Sequence, residues 1–561
     1  MTLFLALMAT TKSPSWAQQS ISSWVHQRCA IPLESAAFVS QDASSPVGSF
    51  VLGGGAQAVL AGGSSVWRYE SDGSWIAEAV SLGNKGTQVF TEHGSYQNEA
   101  ALLSAHDGAN VSPVWSDSSV GYNFVRRVAS AENTDLHVST HQEYADETHA
   151  SRHAVLRCFD STSSSPRWTF NSPILIGSHD HSAVAISDDG QTIVLAIYDS
   201  SSGGTVVSVF GPDSATPTAE TELSTLGGFG ALALSSDGST LAVSAPYKQT
   251  ILDLEGLVVE HSVVTVTGAQ YGDVAVSADG DLVALGTPGD FTVFQRGEQG
   301  GYHESYAFPV DPGVVVRGLA LSEGGDVLIA GLQSFSQMND ARIVIVDLDQ
   351  AVVVQDFTIQ GAGSYQNTIQ ELACSRDGSS YVLGMWGDEQ DTVPEVMVFE
   401  THSTVPLLAD FLPGSVNDLD FSADGSWLAV ASKGVHANTW GTGGSISLYR
   451  VGLVDLAVSG VPRPGATVSV EHLLREGSSN RVLVATGLLD TPLLDSSFGS
   501  GLLYLDPATI VELPSATAGE DHVAHAPLTL SGAVGSTVYI QAVDVEESAL
   551  SLDWVQVTLL P

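Results

Sequence analysis

Six of the sixteen histidines, His137, His141, His149, His153, His179 and His181, fall within 45 residues of a 561-residue chain. "THASRHA" sets His149 and His153 four apart, and "GSHDHSA" brackets Asp180 with His179 and His181. Imidazole and carboxylate are the donors a zinc-type ion takes, and alternate residues of a strand share a face. His179, Asp180 and His181 are therefore the candidate metal ligands, although spacing fixes no further ligand. The competing reading is a group of loop histidines making polar contacts at a rim.

A second group recurs. "FSADGSWLAVAS" (421–432) places Asp424 in a Ser-x-Asp-Gly run between two alternating apolar stretches. A calcium loop needs oxygen ligands at alternating positions, as in D-x-D-x-D-G, and no copy has that series. The expected role is a tight turn, with Gly supplying positive φ and Asp capping the corner. Ca2+ or another divalent ion is the lesser expectation, and no other cofactor is indicated. No G-x-S-x-G elbow, H-E-x-x-H pair or phosphate loop stands in a convincing context.

The elements around these turns repeat. "AISDDGQTIVLAI", "ALSSDGSTLAVSA", "AVSADGDLVALGT", "ALSEGGDVLIAGL", "ACSRDGSSYVLGM" and "DFSADGSWLAVAS" share one template, and 79–91 and 128–140 are weaker copies. The turn positions Gly86, Asn133, Gly190, Gly238, Gly280, Gly325, Gly378 and Gly425 lie 42 to 57 residues apart. That period is a propeller signature. A third strand follows each hairpin, as in "FTVFQRG" (291–297), and often an outer fourth, as in "YHESYAFP" (302–309). Four short antiparallel strands make a blade, which buries its faces only by stacking on neighbours.

The expected fold is all-β: a β-propeller of eight blades, with seven as the alternative, followed by a small β-sandwich. The last unit has no clear fourth strand, and "SVWRYESDG" (65–73) is a spare one that can close the ring. Closure removes exposed strand edges. The expected divisions are 1–17 signal peptide, 18–47 linker, 48–452 propeller and 453–561 sandwich.

The hairpins resemble WD40-like blades without the Trp-Asp dipeptide. Residues 271–302 are similar to FG-GAP blades, and "LLSAHDGANVSPVWSD" and "VLRCFDSTSSSPRWTF" resemble quinoprotein-like blades around Trp115 and Trp168. The region after Leu453 resembles the C-terminal β-domain of planctomycete-type secreted proteins, through Leu505-Asp506-Pro507 and Tyr539-x-Gln541-Ala542. These resemblances imply a propeller with an appended module, and they are unspecific for function.

With 63 Asp and Glu against 19 Lys and Arg, the net charge is −44. Such a chain repels phosphate backbones and anionic membranes, so no nucleic acid partner and no membrane insertion are expected. "LFLALMA" (3–9) before Ala17 is a short apolar core of the signal-peptide kind, though no basic residue precedes it. A secreted, periplasmic or cell-surface bacterial location follows as the expectation. Three cysteines, Cys29, Cys158 and Cys374, make no disulfide framework. Cys29 with Cys158 is a conceivable bridge, and buried thiols are the alternative. The leading functional expectation is a non-enzymatic propeller that binds protein or glycan at the cell exterior. A metal-dependent, lactonase-like hydrolase with its site in the central channel is the rival.

Overall fold

The computed structural model describes residues 65–451 apart from 72–74, 84–85, 87, 96–99, 108–111, 121–126, 145–151, 177–181, 200, 225–229, 246, 265–271, 288–289, 299, 312, 335, 391, 405 and 437–442. Outside that range it describes mainly strands, from Ala36–Ser40 to Val555–Thr558. The chain divides into two compact units, Ser65–Tyr449 and a second made of 1–64 with 450–561.

The Ser65–Tyr449 unit holds eight four-stranded antiparallel sheets. Their inner strands are Ile76–Gly83, Arg127–Ser130, Ser182–Ile186, Ala231–Leu234, Val274–Val276, Val314–Leu321, Ile369–Cys374 and Val416–Phe421. Each inner strand packs on the next, and the eighth packs on the first, so the ring is closed. The molecule carries an eight-bladed β-propeller. All eight expected turn positions fall between an inner strand and its hairpin partner.

Strand composition follows position in the blade. The second strand lies between two neighbouring blades, so it is apolar on both faces: Ile193–Asp199 is buried from Ile193 through Ile197. The outer strand has a solvent face and alternates, as Tyr302–Pro309 does. Clusters of apolar side chains fill the gaps between blades. Leu136, Val138, Ala154, Leu156 and Cys158 of the second blade meet Ile193, Leu195, Ile197 and Phe210 of the third.

The eighth blade takes its outer strand from the start of the unit. Ser65–Ser71 pairs antiparallel with Gly444–Arg450, with Ile446 opposite Tyr69. A polar clasp holds it. Arg68 donates to Asp410 at 2.5 Å, to Ser447 at 2.9 Å and to Tyr449 at 3.2 Å, while the Tyr449 hydroxyl donates to Asp410 at 2.7 Å.

The sequence places the start of the ring at residue 48 and a linker before it; the strands place the start at Ser65. Ala36–Ser40, Ser49–Leu52 and Ala56–Val59 form a hairpin series that continues into Leu456–Ser459, Thr467–Leu473 and Val523–Thr529. "SFVL" and "AQAV" alternate as blade strands do, and alternation does not name a partner strand. A second sheet of this unit includes Ser479–Ala485 and Thr537–Asp544. Cys158 is a buried free thiol in the core, pushed up to about 12 by burial, and Cys374 is free as well. Residues 1–17 and Cys29 lie outside the described residues.

Candidate functional site

The Ser-x-Asp-Gly corners are fully occupied by their own turns. Ser422 Oγ donates to Asp424 Oδ1 at 2.6 Å, the Ser426 amide donates to the same oxygen at 2.9 Å, and the Trp427 amide donates to Ser422 Oγ at 2.9 Å. Ser187/Asp189, Ser235/Asp237, Ser277/Asp279 and Ser375/Asp377 repeat the arrangement at 2.7–2.8 Å. Gly425 sits at φ +71°, and a Cβ there would lie 2.7 Å from Ser380 Oγ of the preceding blade. Only glycine meets both demands.

Between blades the corners form a chain of amide hydrogen bonds. Asn133 donates to the Asp188 carbonyl, Asp188 to Ser236, Asp237 to Ala278, Ala278 to Glu323, Glu323 to Arg376 and Arg376 to Ala423, at 2.6–3.1 Å. The repeated turn is thus the girdle of one end of the ring. Across that end Arg376 pairs with Glu323 at 2.5 Å and with Asp188 at 2.9 Å, reaching from the seventh blade to the third. Glu132 lies beside this group, lifted to about 7 by burial and by the Asp188 charge.

Of the candidate metal ligands, His179, Asp180 and His181 lie outside the described residues, as does His149. The other three histidines of the N-terminal group whose surroundings are described sit on strands rather than on loops. His137 is buried: Nδ1 shares a hydrogen bond with Ser130 Oγ at 2.6 Å, Nε2 with Gln88 Oε1 at 3.2 Å, and Phe90 stacks on the ring at 4.8 Å. Burial lowers its pKa to about 4. His141, also buried, pairs with Glu143 at 3.0 Å, and Arg157 holds the same carboxylate oxygen at 3.2 Å. His153 stands opposite Glu143 in the ladder. Alternate polar residues (137, 139, 141, 143) read as a wet face, but that face meets the first blade. Among the described residues no three His, Cys, Asp or Glu groups converge as a metal shell.

The axis of the ring holds what sequence reasoning missed. A cavity of about 690 Å³ runs between the inner strands, lined by Asp273, Glu371, Asp418, Asp420, Arg127 and Arg317 among many small and aliphatic residues. It meets a second cavity of about 220 Å³ at Ser130 and Asp420, and the second ends at Arg376, Asp188 and Glu323. Asp273, Glu371 and Asp418 each stand four residues before a turn serine, where the third, fourth and sixth blades have Ala183, Ala231 and Gly318. Aligning the repeats on that serine is the signal that would have found them.

Two of these three acids clip neighbouring blades. Asp273 Oδ2 accepts the Leu319 amide of the next blade at 2.7 Å, and Asp418 Oδ2 accepts the Val80 amide at 3.0 Å. Two residues on, Asp420 accepts the Leu82 amide at 2.8 Å. By the same geometry Glu371 would take the Leu419 amide, but Asp418 Oδ1 already accepts it at 3.1 Å. Glu371 has no hydrogen-bond partner among the described residues. Burial lifts Asp273 and Asp418 to about 6 and Asp420 to about 7, and it lifts Glu371 well above the carboxylate range, with Asp418 adding repulsion.

At the end opposite the girdle, the connections differ from blade to blade, and those of the sixth to eighth blades are tied together. Gly361 donates to the Asn339 carbonyl at 3.0 Å, Ala362 to Asp388 at 2.6 Å, Ser364 to Glu389 at 2.6 Å and Leu412 to Glu395 at 2.6 Å. His436 pairs with Glu395 at 3.2 Å. Within this group Met338, Tyr365 and Phe411 are 44%, 40% and 46% exposed.

No family model matches the chain, and no curated protein matches it in sequence. Among solved structures it is similar to the β-propeller domain of Cps50 (Swd1) from Myceliophteria thermophila. That likeness has a TM-score of 0.41 at 9% identity and covers 70% of this chain and all of the other.

Proposed function

We propose that the protein is an exported, non-enzymatic binding scaffold whose propeller recognises a protein partner through the tied connections of its sixth to eighth blades. One observation carries the reading: Tyr365 and Phe411 stay exposed on loops that carboxylate–amide hydrogen bonds hold in place, and Met338, whose carbonyl accepts the Asn367 amide, is exposed on the strand Gln337–Asp347. Exposed large apolar side chains on a rigid support are what binding anchors look like. Preorganised loops also lose little entropy on binding. Glu389 and the net charge of −44 favour a basic partner. Export rests on the Leu3–Ala9 core, and the segment after Leu453 would be an appended sandwich module. The reading assigns no resident cofactor.

The test is a comparison of the wild-type chain with Tyr365→Asp and Phe411→Asp variants of unchanged melting temperature. Each is exposed to exported proteins of its source and to a glycan array. A saturable protein partner, lost in both variants, is the expected result. Glycan binding alone would replace the partner class. Stoichiometric metal in the purified protein with lactone hydrolysis would replace the reading by the enzyme.

A further inference from the structure

We propose that the axial channel is a binding site for a primary alkylammonium group, carried either by a free linear diamine or by a lysine side chain. It is independent of the loop platform. The argument begins with the unequal walls of the channel. At one level, four residues before each turn serine, the fifth, seventh and eighth blades present Asp273, Glu371 and Asp418. The third and fourth blades present Ala183 and Ala231 at the same level, and Val184, Ile186, Leu232 and Leu234, which pack mainly between blades, line the channel with their partly buried edges. One wall carries the carboxylates and the other carries small and partly buried aliphatic residues with no charge. An inorganic ion has no use for the second wall, whereas an alkyl chain ending in an ammonium group uses both.

Glu371 is the group left over in this arrangement. Asp273 and Asp418 each spend an oxygen on the next blade's amide, and Asp418 has taken the amide Glu371 would have used. Glu371 is partly buried and has the Arg127 charge acting on it but no donor of its own among the described residues, and a cation with three N–H donors supplies what it lacks. The lower cavity shows the same device built in, since Arg376 supplies the cation for Asp188 and Glu323. In the upper cavity four carboxylates face Arg127 and Arg317, and Arg317 gives its Nε donor to Gln333 at 3.1 Å instead. The cavity lining holds a further acceptor. Ser182 lines the same cavity, is 3% exposed, and its hydroxyl has no hydrogen-bond partner among the described residues.

The experiment is calorimetric titration of the full chain with cadaverine, with a short lysine-bearing peptide, with the matching linear diol and with calcium chloride. Binding of cadaverine or of the peptide, with no heat from the diol, is expected. Which of the two binds tells a free amine from a protein side chain. Glu371→Gln should weaken the binding by about tenfold or more, the value of one charge-assisted contact. Removing a buried charge is not expected to unfold the ring, and a rise in melting temperature of the wild type with cadaverine gives a readout needing no variant. The proposal falls if neither amine binds at millimolar concentration, if the diol binds equally, if calcium displaces the amine, or if Glu371→Gln binds as the wild type does.

Discussion

The first two blades and the later ones solve the same packing problem with different chemistry. From the third blade on, the middles of the second strands are apolar, as in Ile193–Ile197 and Leu328–Leu332, and their buried polar residues, such as Thr240, Ser244, Gln333, Ser380 and Ser432, sit toward the strand ends. In the first two blades Thr91, Glu92, His93, His137, Ser139, Thr140, His141 and Gln142 are buried in the second strands. The turns differ to match. Where the later corners pair Ser with Asp, the second blade has Ser130 without that Asp, and its hydroxyl bonds His137 and Ser81 instead. The sixth blade is an intermediate case: Asp326, displaced along the turn, takes the Ser322 hydroxyl at 2.6 Å. When the corner's Asp is replaced, the partners for the serine come from the strands, His137 of its own blade and Ser81 of the first. Erosion of the motif is therefore compensated rather than tolerated.

The comparison can be broken at five points. The largest effect is expected in the dry interior. Leu195→Ala, between the second and third blades, should cost about 2–5 kcal/mol in chemical denaturation, because transfer and cavity terms add. Acid should act next, and on the polar blades. Folded His137 refuses a proton that the unfolded chain binds between pH 6.5 and about 4, so its contribution falls as pH drops through that window. The loss approaches about 3 kcal/mol, and His137→Phe should flatten it in pH-dependent melting.

The axial carboxylates titrate with the opposite sign. Asp273, Asp418, Asp420 and Glu132 hold protons up to about 6–7 that the unfolded chain releases, so lowering the pH from neutrality strengthens the fold through them. Asp420→Asn keeps an acceptor for the Leu82 amide and should raise the melting temperature most above neutral pH. Gly425→Ala tests the regular corner. A left-handed alanine costs about 1–2 kcal/mol, and contact with Ser380 adds to it. The smallest effect is expected at Arg376→Ala, a partly exposed bridge worth about 1 kcal/mol or less and weakened by salt.

The fold was legible because the ring repeats its corners. Each copy of Ser-x-Asp-Gly marks a hairpin, and the spare segment at 65–73 matches the missing strand of the eighth unit. What escaped were residues whose meaning depends on closure. Asp273, Glu371 and Asp418 lie 98 and 47 residues apart, and only the ring brings them to one channel. The buried histidines escaped for a related reason. Period-2 polarity marks a strand face as different, and it does not say whether the face meets water or another polar blade. The start of the ring escaped because short alternating strands at 49–59 carry no sign of whose edge they complete.

The clasp at Arg68 has a consequence for how the molecule comes into being. The strand that completes the eighth blade is made first, and Arg68 finds Ser447 379 residues later in the chain. Contacts of such separation are slow to form, because a long loop must close before they contribute. During synthesis the Ser65–Ser71 segment waits without its partner strand, and a three-stranded last blade waits with an open edge. Both are surfaces on which a second nascent chain can pair. A permuted gene that places residues 65–71 after residue 450 through a short turn makes this contact local. It should refold faster and aggregate less, with little change in the stability of the finished ring.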